Sequence, residues 1–351
     1  MAAGKLSNIV YKVSGIAILL GSLIGGWVVM DYRQFVANPL PITESGYRHV
    51  IAPGTGLKHF ADELYRAGVM PHPLYLRWMA RFAGKSQSIK AGEYLFAPGI
   101  TPRQLLEQVA AGAVIQHPFT IVEGWTFTQL LEALRQQDVI AQTLNGLNED
   151  QIMERLGYAG QHPEGLFLPD TYHFPRGTSD VAFLQRSYQA QAARLAEEWE
   201  RRDPGLPYQT PYQALIMASI VEKETALPEE RAEIAGVFVR RLTRGMRLQT
   251  DPTVIYGLGD RFDGNLRRRD LATDSPYNTY MHAGLPPTPI ALPGLAAIHA
   301  ALHPAPGEAV YFVSRGDGSH QFSATLAAHN QAVRRYQIDT RHRSTAKGAG
   351  K

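Results

Sequence analysis

The chain has 351 residues and a formal net charge of +3, from 35 basic and 32 acidic side chains. This small excess is not the strongly basic profile of a nucleic-acid-binding protein, although it suits an anionic polymer or a membrane surface. Cysteine is absent from the sequence, which excludes disulfides, a thiol nucleophile and cysteine-ligated zinc. The length fits two domains with additional segments, and a hydrophobic content of 44% is enough for a sizeable core.

An uncharged apolar run near the N-terminus predicts a single transmembrane helix at residues 13–32. Residues 13–30 carry no charge, and at about 1.5 Å per residue they are just long enough for a hydrocarbon core of about 30 Å. Lys5 and Lys12 precede the run. The positive-inside rule therefore predicts that residues 1–12 are cytoplasmic and that the rest of the chain lies across the membrane. A cleaved signal peptide is the alternative, but no good cleavage site follows the run.

After a predicted linker at residues 33–46, residues 47–116 have the pattern of a small α+β module. Turn residues and apolar spacing predict a strand, two helices, a second strand and a third helix, at residues 47–51, 57–67, 73–82, 92–96 and 101–112. These strand–turn–helix units resemble a LysM-like glycan-binding module. The alternative is a small α+β packing domain.

The sequence of residues 117–338 predicts a mixed α+β domain. A strand at residues 119–124 precedes a helix that runs to Arg135, and residues 181–199 predict a long, exposed outer helix. A hairpin is expected near residues 310–323. The basic tail at residues 339–351 is expected to be disordered.

The stretch at residues 215–225 combines a buried helix with an acid. It is apolar almost all the way round, as in a buried helix, yet it ends in two carboxylates. At about 100° per residue, Glu224 lies in the middle of the stripe formed by Met217, Ile220 and Val221. Desolvation raises the pKa of a carboxyl group among apolar side chains, which suits a general acid at neutral pH. The alternative is a helix that simply ends in solvated charges.

Later segments offer further polar candidates. Asp251 before Pro252 predicts a helix N-cap with proline at the first helical position, but Asp251 could also be a second carboxylate near Glu224. The loop at residues 275–289 is rich in Tyr, Asn and Pro, which suits a sugar ligand or merely a stiff loop. His320 could contact a substrate or be an ordinary histidine.

Cofactor and metal signatures are missing from the sequence. The 12 histidines include no H-E-x-x-H motif and no other convincing metal spacing. No P-loop, dinucleotide fingerprint or G-x-S-x-G motif occurs in a usable context. We therefore expect no metal and no cofactor.

Four segments together resemble one family, the YceG-like endolytic murein transglycosylases. They are residues 218–225, 247–257, 277–287 and 311–330, and the resemblance extends from the anchor to about Tyr336. It implies a membrane-anchored α+β protein that cleaves peptidoglycan between N-acetylmuramic acid and N-acetylglucosamine and leaves a 1,6-anhydro end.

The resemblance also implies roles for individual residues. The second glutamate of the E-K-E run, Glu224, is expected to act first as acid and then as base. The residues that match groove-lining motif positions are Gln249, Asp251, Asn278 and Tyr280. We also expect Glu222 and His320 to contact the substrate.

The same resemblance implies partners and a location. The protein is expected in the cytoplasmic (inner) membrane, with its catalytic domain in the periplasm beside the peptidoglycan synthases, the penicillin-binding proteins. There it would bind glycan strands and terminate their elongation, and we expect no nucleic-acid partner. Two alternatives stay open: a muramidase that uses Glu224 and Asp251 with water, and a non-catalytic scaffold that binds peptidoglycan.

Overall fold

The structure is a computed structural model and describes residues 2–338. The tail predicted to be disordered, residues 339–351, lies outside the described residues. The chain forms two compact units: unit 1 is Met1–His117 with Phe174–Gly177, and unit 2 is Pro118–His173 with Thr178–Lys351. Both helices and strands are present, as the predicted α+β class requires.

Helix α1 spans Ala2–Ala37. Its segment Tyr11–Ala37 is long and apolar enough to cross a membrane, and its most apolar window is not covered by any other part of the protein. The helix continues five residues beyond the predicted end of the anchor, into the predicted linker. The reason is packing: Phe35 is 7% exposed and belongs to the core of unit 1, so the last turn of α1 is part of that unit.

Unit 1 contains the strands and helices that the sequence predicts, in the predicted order. They are β1 (Tyr47–Ile51), α2 (Leu57–Arg66), α3 (Pro73–Phe82), β2 (Gly92–Phe96) and α4 (Pro102–Ala111). The two strands pair antiparallel, with Tyr47 opposite Phe96. Helix α4 begins where Thr101 and Gln104 form a reciprocal capping box, which satisfies two amides at the start of the helix. The helices bury Phe60, Leu76 and Leu105 against the sheet.

The chain then continues through two further strands and four helices, the last of which is the central helix. They are β3 (Gln116–Thr120), α5 (Phe127–Arg135), α6 (Glu149–Leu156), β4 (Thr171–Pro175), α7 (Asp180–Glu200) and α8 (Pro211–Glu224). Strands β3 and β4 form a two-stranded sheet. The predicted long helix is present as α7, but it is exposed only in part, because its first half buries Phe183 and Leu184.

The C-terminal elements of unit 2 follow α8. They are α9 (Arg231–Thr243), α10 (Asp251–Leu258), α11 (Arg268–Leu271), α12 (Leu295–Leu302), β5 (Tyr311–Ser314), β6 (His320–Ser323) and α13 (Leu326–Val333). Of these elements, α9, α10 and α12 pack against α8. The predicted hairpin is present as β5 and β6, with Tyr311 opposite Ser323.

Helix α8 is the centre of the core of unit 2. Thr210 caps its first turn and Pro211 occupies the first helical position. Every residue from 214 to 221 is buried, against Phe238 of α9 and Ile298 of α12 among others. The helix ends at Glu224 because the next residue is extended. A helix buried on all sides therefore delivers a carboxylate at its C-terminal end.

Candidate active site

Glu224 has the environment expected of a general acid. Its side chain is partly exposed, and its carboxylate accepts a hydrogen bond from the hydroxyl of Thr250. Burial raises the pKa of Glu224 to about 7, and the charge of Asp251 acts in the same direction. The Thr250 hydrogen bond and the charges of His320 and Arg241 lower this pKa and only partly offset the burial. The raised pKa predicted from the sequence is confirmed.

The hydroxyl that contacts Glu224 is held by a buried network of three threonines. The amide of Thr250 donates to Oγ1 of Thr279 at 3.1 Å, and the hydroxyls of Thr279 and Thr253 lie 2.9 Å apart. The hydroxyl of Thr253 donates to the carbonyl of Thr250 at 2.8 Å. Each of the three residues is at most 2% exposed. The network therefore fixes Thr250, and through it the carboxylate of Glu224.

Gln249 stands beside this network in a strained backbone conformation. Its φ of +51° makes it the one non-glycine residue with positive φ among residues 2–338. Its amide donates to the carbonyl of Thr279 at 3.1 Å, while its side chain is exposed. A non-glycine residue in this region costs free energy of order 1–3 kcal/mol, and such residues cluster at functional sites. The side-chain amide of Gln249 is therefore exposed to solvent, one residue before Thr250.

Asp251 and Tyr280 form a second polar pair close to Glu224. The phenol of Tyr280 donates to Oδ1 of Asp251 at 2.6 Å. Burial raises the pKa of Tyr280, as do this hydrogen bond and the charge of Asp251. Asp251 is exposed and is the first residue of α10, with Thr250 as the N-cap. The predicted N-cap was therefore one residue too late, and the carboxylate of Asp251 remains available to a ligand.

His320 begins β6 and is held by Glu230, which precedes α9. The Nδ1 atom of His320 lies 2.7 Å from Oε2 of Glu230, and its backbone amide donates to Oε1 at 2.8 Å. The side chain is 12% exposed. Its charge lowers the pKa of Glu224, so the two side chains interact electrostatically.

Arg241 is a buried cation of the site that sequence reasoning missed. It is 7% exposed, and its guanidinium donates to the carbonyls of Val310 and Leu248 at 2.6 Å each. These bonds fix the segment that precedes Gln249. Burial lowers the pKa of Arg241, and its charge in turn lowers the pKa of Glu224.

Asn278 and Glu222 form hydrogen bonds within the protein. The amide nitrogen of Asn278 donates to the carbonyls of Leu271 and Thr273, its oxygen accepts from the amide of Tyr280, and the residue is 1% exposed. The Glu222 side chain is 6% exposed, and its carboxylate accepts from the amide of Gly294 at 3.0 Å. These contacts give both residues structural roles, and their contact with the substrate stays a prediction.

Glu164 is a second buried acid, and sequence reasoning did not single it out. The residue is 3% exposed and accepts hydrogen bonds from the amide of Phe127 and the phenol of Tyr256, both at 3.1 Å. Burial raises its pKa to about 8, and these hydrogen bonds only partly oppose the rise. Its hydrogen-bond partners lie 37 and 92 residues away in the chain, so no local sequence pattern indicates that Glu164 is buried.

The geometry can be compared with known proteins. A model of the YceG-like family matches residues 49–335. A Bacillus subtilis protein named endolytic murein transglycosylase is 29% identical over 303 residues, which cover 82% of this chain and 83% of that protein. A Streptococcus pneumoniae protein of the same name is 27% identical over 340 residues, which cover 87% of this chain but 61% of the relative's length. The crystal structure of a YceG-like protein from Listeria monocytogenes is similar at a TM-score of 0.52 and 28% identity, over 82% of this chain and 99% of that one.

Proposed function

The chain belongs to the YceG-like family and is a murein lytic transglycosylase, and we propose that it cuts glycan strands internally with Glu224 as both acid and base. The bond cleaved joins N-acetylmuramic acid to N-acetylglucosamine, and the product carries a 1,6-anhydro-N-acetylmuramic acid end.

The observation that carries this proposal is the state of Glu224. A pKa of about 7 leaves a large fraction of this carboxyl protonated at neutral pH, whereas a solvated glutamate is almost fully ionised. A group that titrates near the working pH can both give and accept a proton within one turnover. The hydroxyl of Thr250 keeps the carboxyl in one position for both steps.

Each step of the reaction uses the same side chain. Protonated Glu224 gives its proton to the glycosidic oxygen, the bond from that oxygen to C1 of muramic acid breaks, and the glucosamine end leaves with a new hydroxyl. The N-acetyl carbonyl of the muramic acid stabilises the positive charge that develops at C1. The carboxylate of Glu224 then removes the proton from the C6 hydroxyl. At the same time the oxygen of this hydroxyl bonds to C1, which closes the anhydro ring. Water is not consumed, and Glu224 ends protonated.

Other side chains around Glu224 have the chemistry to hold a sugar. The exposed amide of Gln249 and the exposed carboxylate of Asp251 can bond to hydroxyl or N-acetyl groups. The ring of Tyr280 is partly exposed and offers an apolar face to a pyranose. The side chain of His320 is 12% exposed, and we assign it a contact at the edge of the bound strand.

The anchor and unit 1 supply the location. We propose that α1 crosses the cytoplasmic membrane once, with its N-terminus in the cytoplasm, and that the rest of unit 1 and unit 2 lie in the periplasm beside penicillin-binding synthases. The strand–helix–helix–strand order of unit 1 supports a LysM-like module that holds the glycan strand. Cleavage of strands as they emerge would end their elongation.

Purified sacculi test the proposal. The wild-type protein in detergent should release fragments with anhydro ends, and Glu224→Gln should release none while it still binds sacculi. Anhydro-ended fragments from Glu224→Gln at the wild-type rate would remove Glu224 from the mechanism. Sacculus binding with no cleavage by the wild-type protein would instead favour a binding scaffold.

A two-carboxylate muramidase is the second candidate, and one observation favours it. The charge of Asp251 raises the pKa of Glu224, so the two carboxylates lie within electrostatic range of each other, as a hydrolase pair requires. In such an enzyme Asp251 would activate a water molecule, and the product would carry a reducing end. The hydrogen bond from Tyr280 occupies Oδ1 of Asp251, which supports the first candidate.

A further inference from the structure

Two histidines and a glutamate meet at the surface of unit 2, between the end of α7 and α12. One nitrogen from each of His299 and His303 and one carboxylate oxygen of Glu198 lie within 4.8 Å of one another. His299 Nδ1 is 2.7 Å from Glu198 Oε2, and His303 Nε2 is 4.0 Å from the same oxygen. We propose that these three side chains bind a divalent transition metal ion of the Zn²⁺ type.

The distances are close to those that such an ion needs. Bonds of about 2.0–2.2 Å in a tetrahedral site place neighbouring ligand atoms about 3.3 Å apart. To reach that spacing, the 2.7 Å distance from His299 to Glu198 would increase and the 4.0 Å distance from His303 to Glu198 would decrease, each by roughly 0.6–0.7 Å. Small rotations of the side chains achieve this, because the His299 side chain is 61% exposed and that of His303 is 23% exposed.

A fourth side chain already orients one of the ligands. Oδ1 of Asp203 lies 3.0 Å from Nδ1 of His303, which leaves Nε2 directed towards Glu198. Metal-bound histidines characteristically donate their other ring N–H to a carboxylate in this way, which fixes the ring and strengthens the ligand. The amide of Asp203 donates to the carbonyl of Leu302 at 3.0 Å, so the orienting residue is itself tied to the end of α12.

Helix geometry explains why the ligands converge. His303 directly follows the last residue of α12 and its amide donates to the carbonyl of His299 at 2.8 Å, and the two imidazole rings lie side by side with centroids 4.4 Å apart. The opposite side of this helix buries Ile298 and Ala301 in the core around α8. A bound ion would therefore join α7 to the helix that packs against α8, and three protein ligands leave a position for water. The third ligand lies 101 residues before His299, which explains why no metal site is expected from the sequence.

Metal binding can be measured without reference to catalysis. The full chain, purified in detergent with a tag that contains no histidine, would be titrated with Zn²⁺ against a chromophoric chelator. We expect one ion per chain in the wild-type protein. Affinity should fall at least about tenfold in His299→Ala and His303→Ala, and about tenfold in Asp203→Asn, because that variant loses only the orienting contact.

Two controls make the outcome decisive. His282→Ala removes another exposed histidine that is paired with a carboxylate, Asp274, and should bind Zn²⁺ like the wild type. Zn²⁺ should also raise the melting temperature of the wild-type protein and of His282→Ala, but not that of His299→Ala. His299 is largely exposed, so this variant folds without its imidazole. No uptake at micromolar Zn²⁺, or equal affinity in the His299→Ala and wild-type proteins, would overturn the proposal.

Discussion

The hydroxyl of Thr250 donates a hydrogen bond to the carboxylate of Glu224, although 26 residues separate the two in the chain. The bond lowers the pKa of Glu224 and thus opposes the larger rise that burial causes. The two effects together leave the acid at a pKa of about 7, where it can serve both half-reactions.

Removal of that hydroxyl should shift the pH dependence of cleavage upwards. In Thr250→Val the carboxylate loses a donor that stabilises its charged form, so the pKa of Glu224 rises above its wild-type value. The reaction needs the protonated acid, and kcat/KM falls at high pH as that proton is lost. The descending limb of the pH profile should therefore move to higher pH in Thr250→Val and stay in place in Thr250→Ser. An unmoved limb in the valine variant would show that the hydrogen bond does not set this pKa.

Gln249 should show a trade between stability and activity. In Gln249→Gly the left-handed backbone is no longer strained, so the free energy of unfolding should rise by about 1 kcal/mol. The same change removes the exposed side-chain amide of Gln249, so kcat/KM should fall. Gln249→Asn keeps an amide and tolerates this backbone, so it should retain more activity. Denaturant unfolding and cleavage rates measure the two effects, and unchanged activity in the glycine variant would mean that the side chain does not contact the glycan.

Glu222 and Glu224 should respond differently to the same substitution. In Glu222→Gln a side-chain oxygen remains to accept the hydrogen bond from the amide of Gly294, so α12 keeps its N-terminal contact. The cleavage rate should therefore stay within about tenfold of the wild-type rate, well short of the 10²–10⁴-fold contribution typical of general acid–base catalysis. Rates on sacculi measure the comparison, and abolition of cleavage by Glu222→Gln would show that Glu222 takes part in catalysis.

Glu164 should make the stability of the protein depend on pH. Its pKa is raised from 4.5 to about 8 in the folded state, so the stabilisation of its protonated form is complete below pH 4.5 and is lost as pH rises towards 8. Relative to Glu164→Gln, the wild-type free energy of unfolding should fall by up to about 1.4 kcal/mol per pH unit in that window, then level off. Unfolding at pH 5, 7 and 9 measures the difference. A difference that does not change with pH would mean that Glu164 is not held protonated.

Local patterns were sufficient to predict the elements from β1 to α4 and the raised pKa of Glu224. Alternation, capping residues and glycine stops fix short elements such as α4, where Thr101 and Gln104 cap the helix within four residues. Glu224 could be identified because its apolar neighbours Ile220 and Val221 lie on its own helix. Helix α6 was missed although its Asn148–Gln151 capping box is visible in the sequence. The residues before α6 are polar, and for that reason the apolar spacing within the helix was not recognised.

The remaining site residues depend on contacts that no local pattern carries. Arg241 and Thr250 act on Glu224 from other elements, and their roles follow from the way α9 and the loop before α10 pack around α8. Asn278 has contacts that its local sequence does not indicate. An amide in an aromatic loop looks like a sugar ligand in the sequence, but the fold uses its oxygen and both of its amide hydrogens to hold the loop.

Digestion of purified glycan strands in ¹⁸O-labelled water, followed by mass spectrometry of the new ends, tests the central claim most directly. The account predicts anhydro ends without ¹⁸O from the wild-type protein and no new ends from Glu224→Gln. New reducing ends that carry ¹⁸O from the wild-type protein, or anhydro ends formed at an undiminished rate by Glu224→Gln, would contradict it.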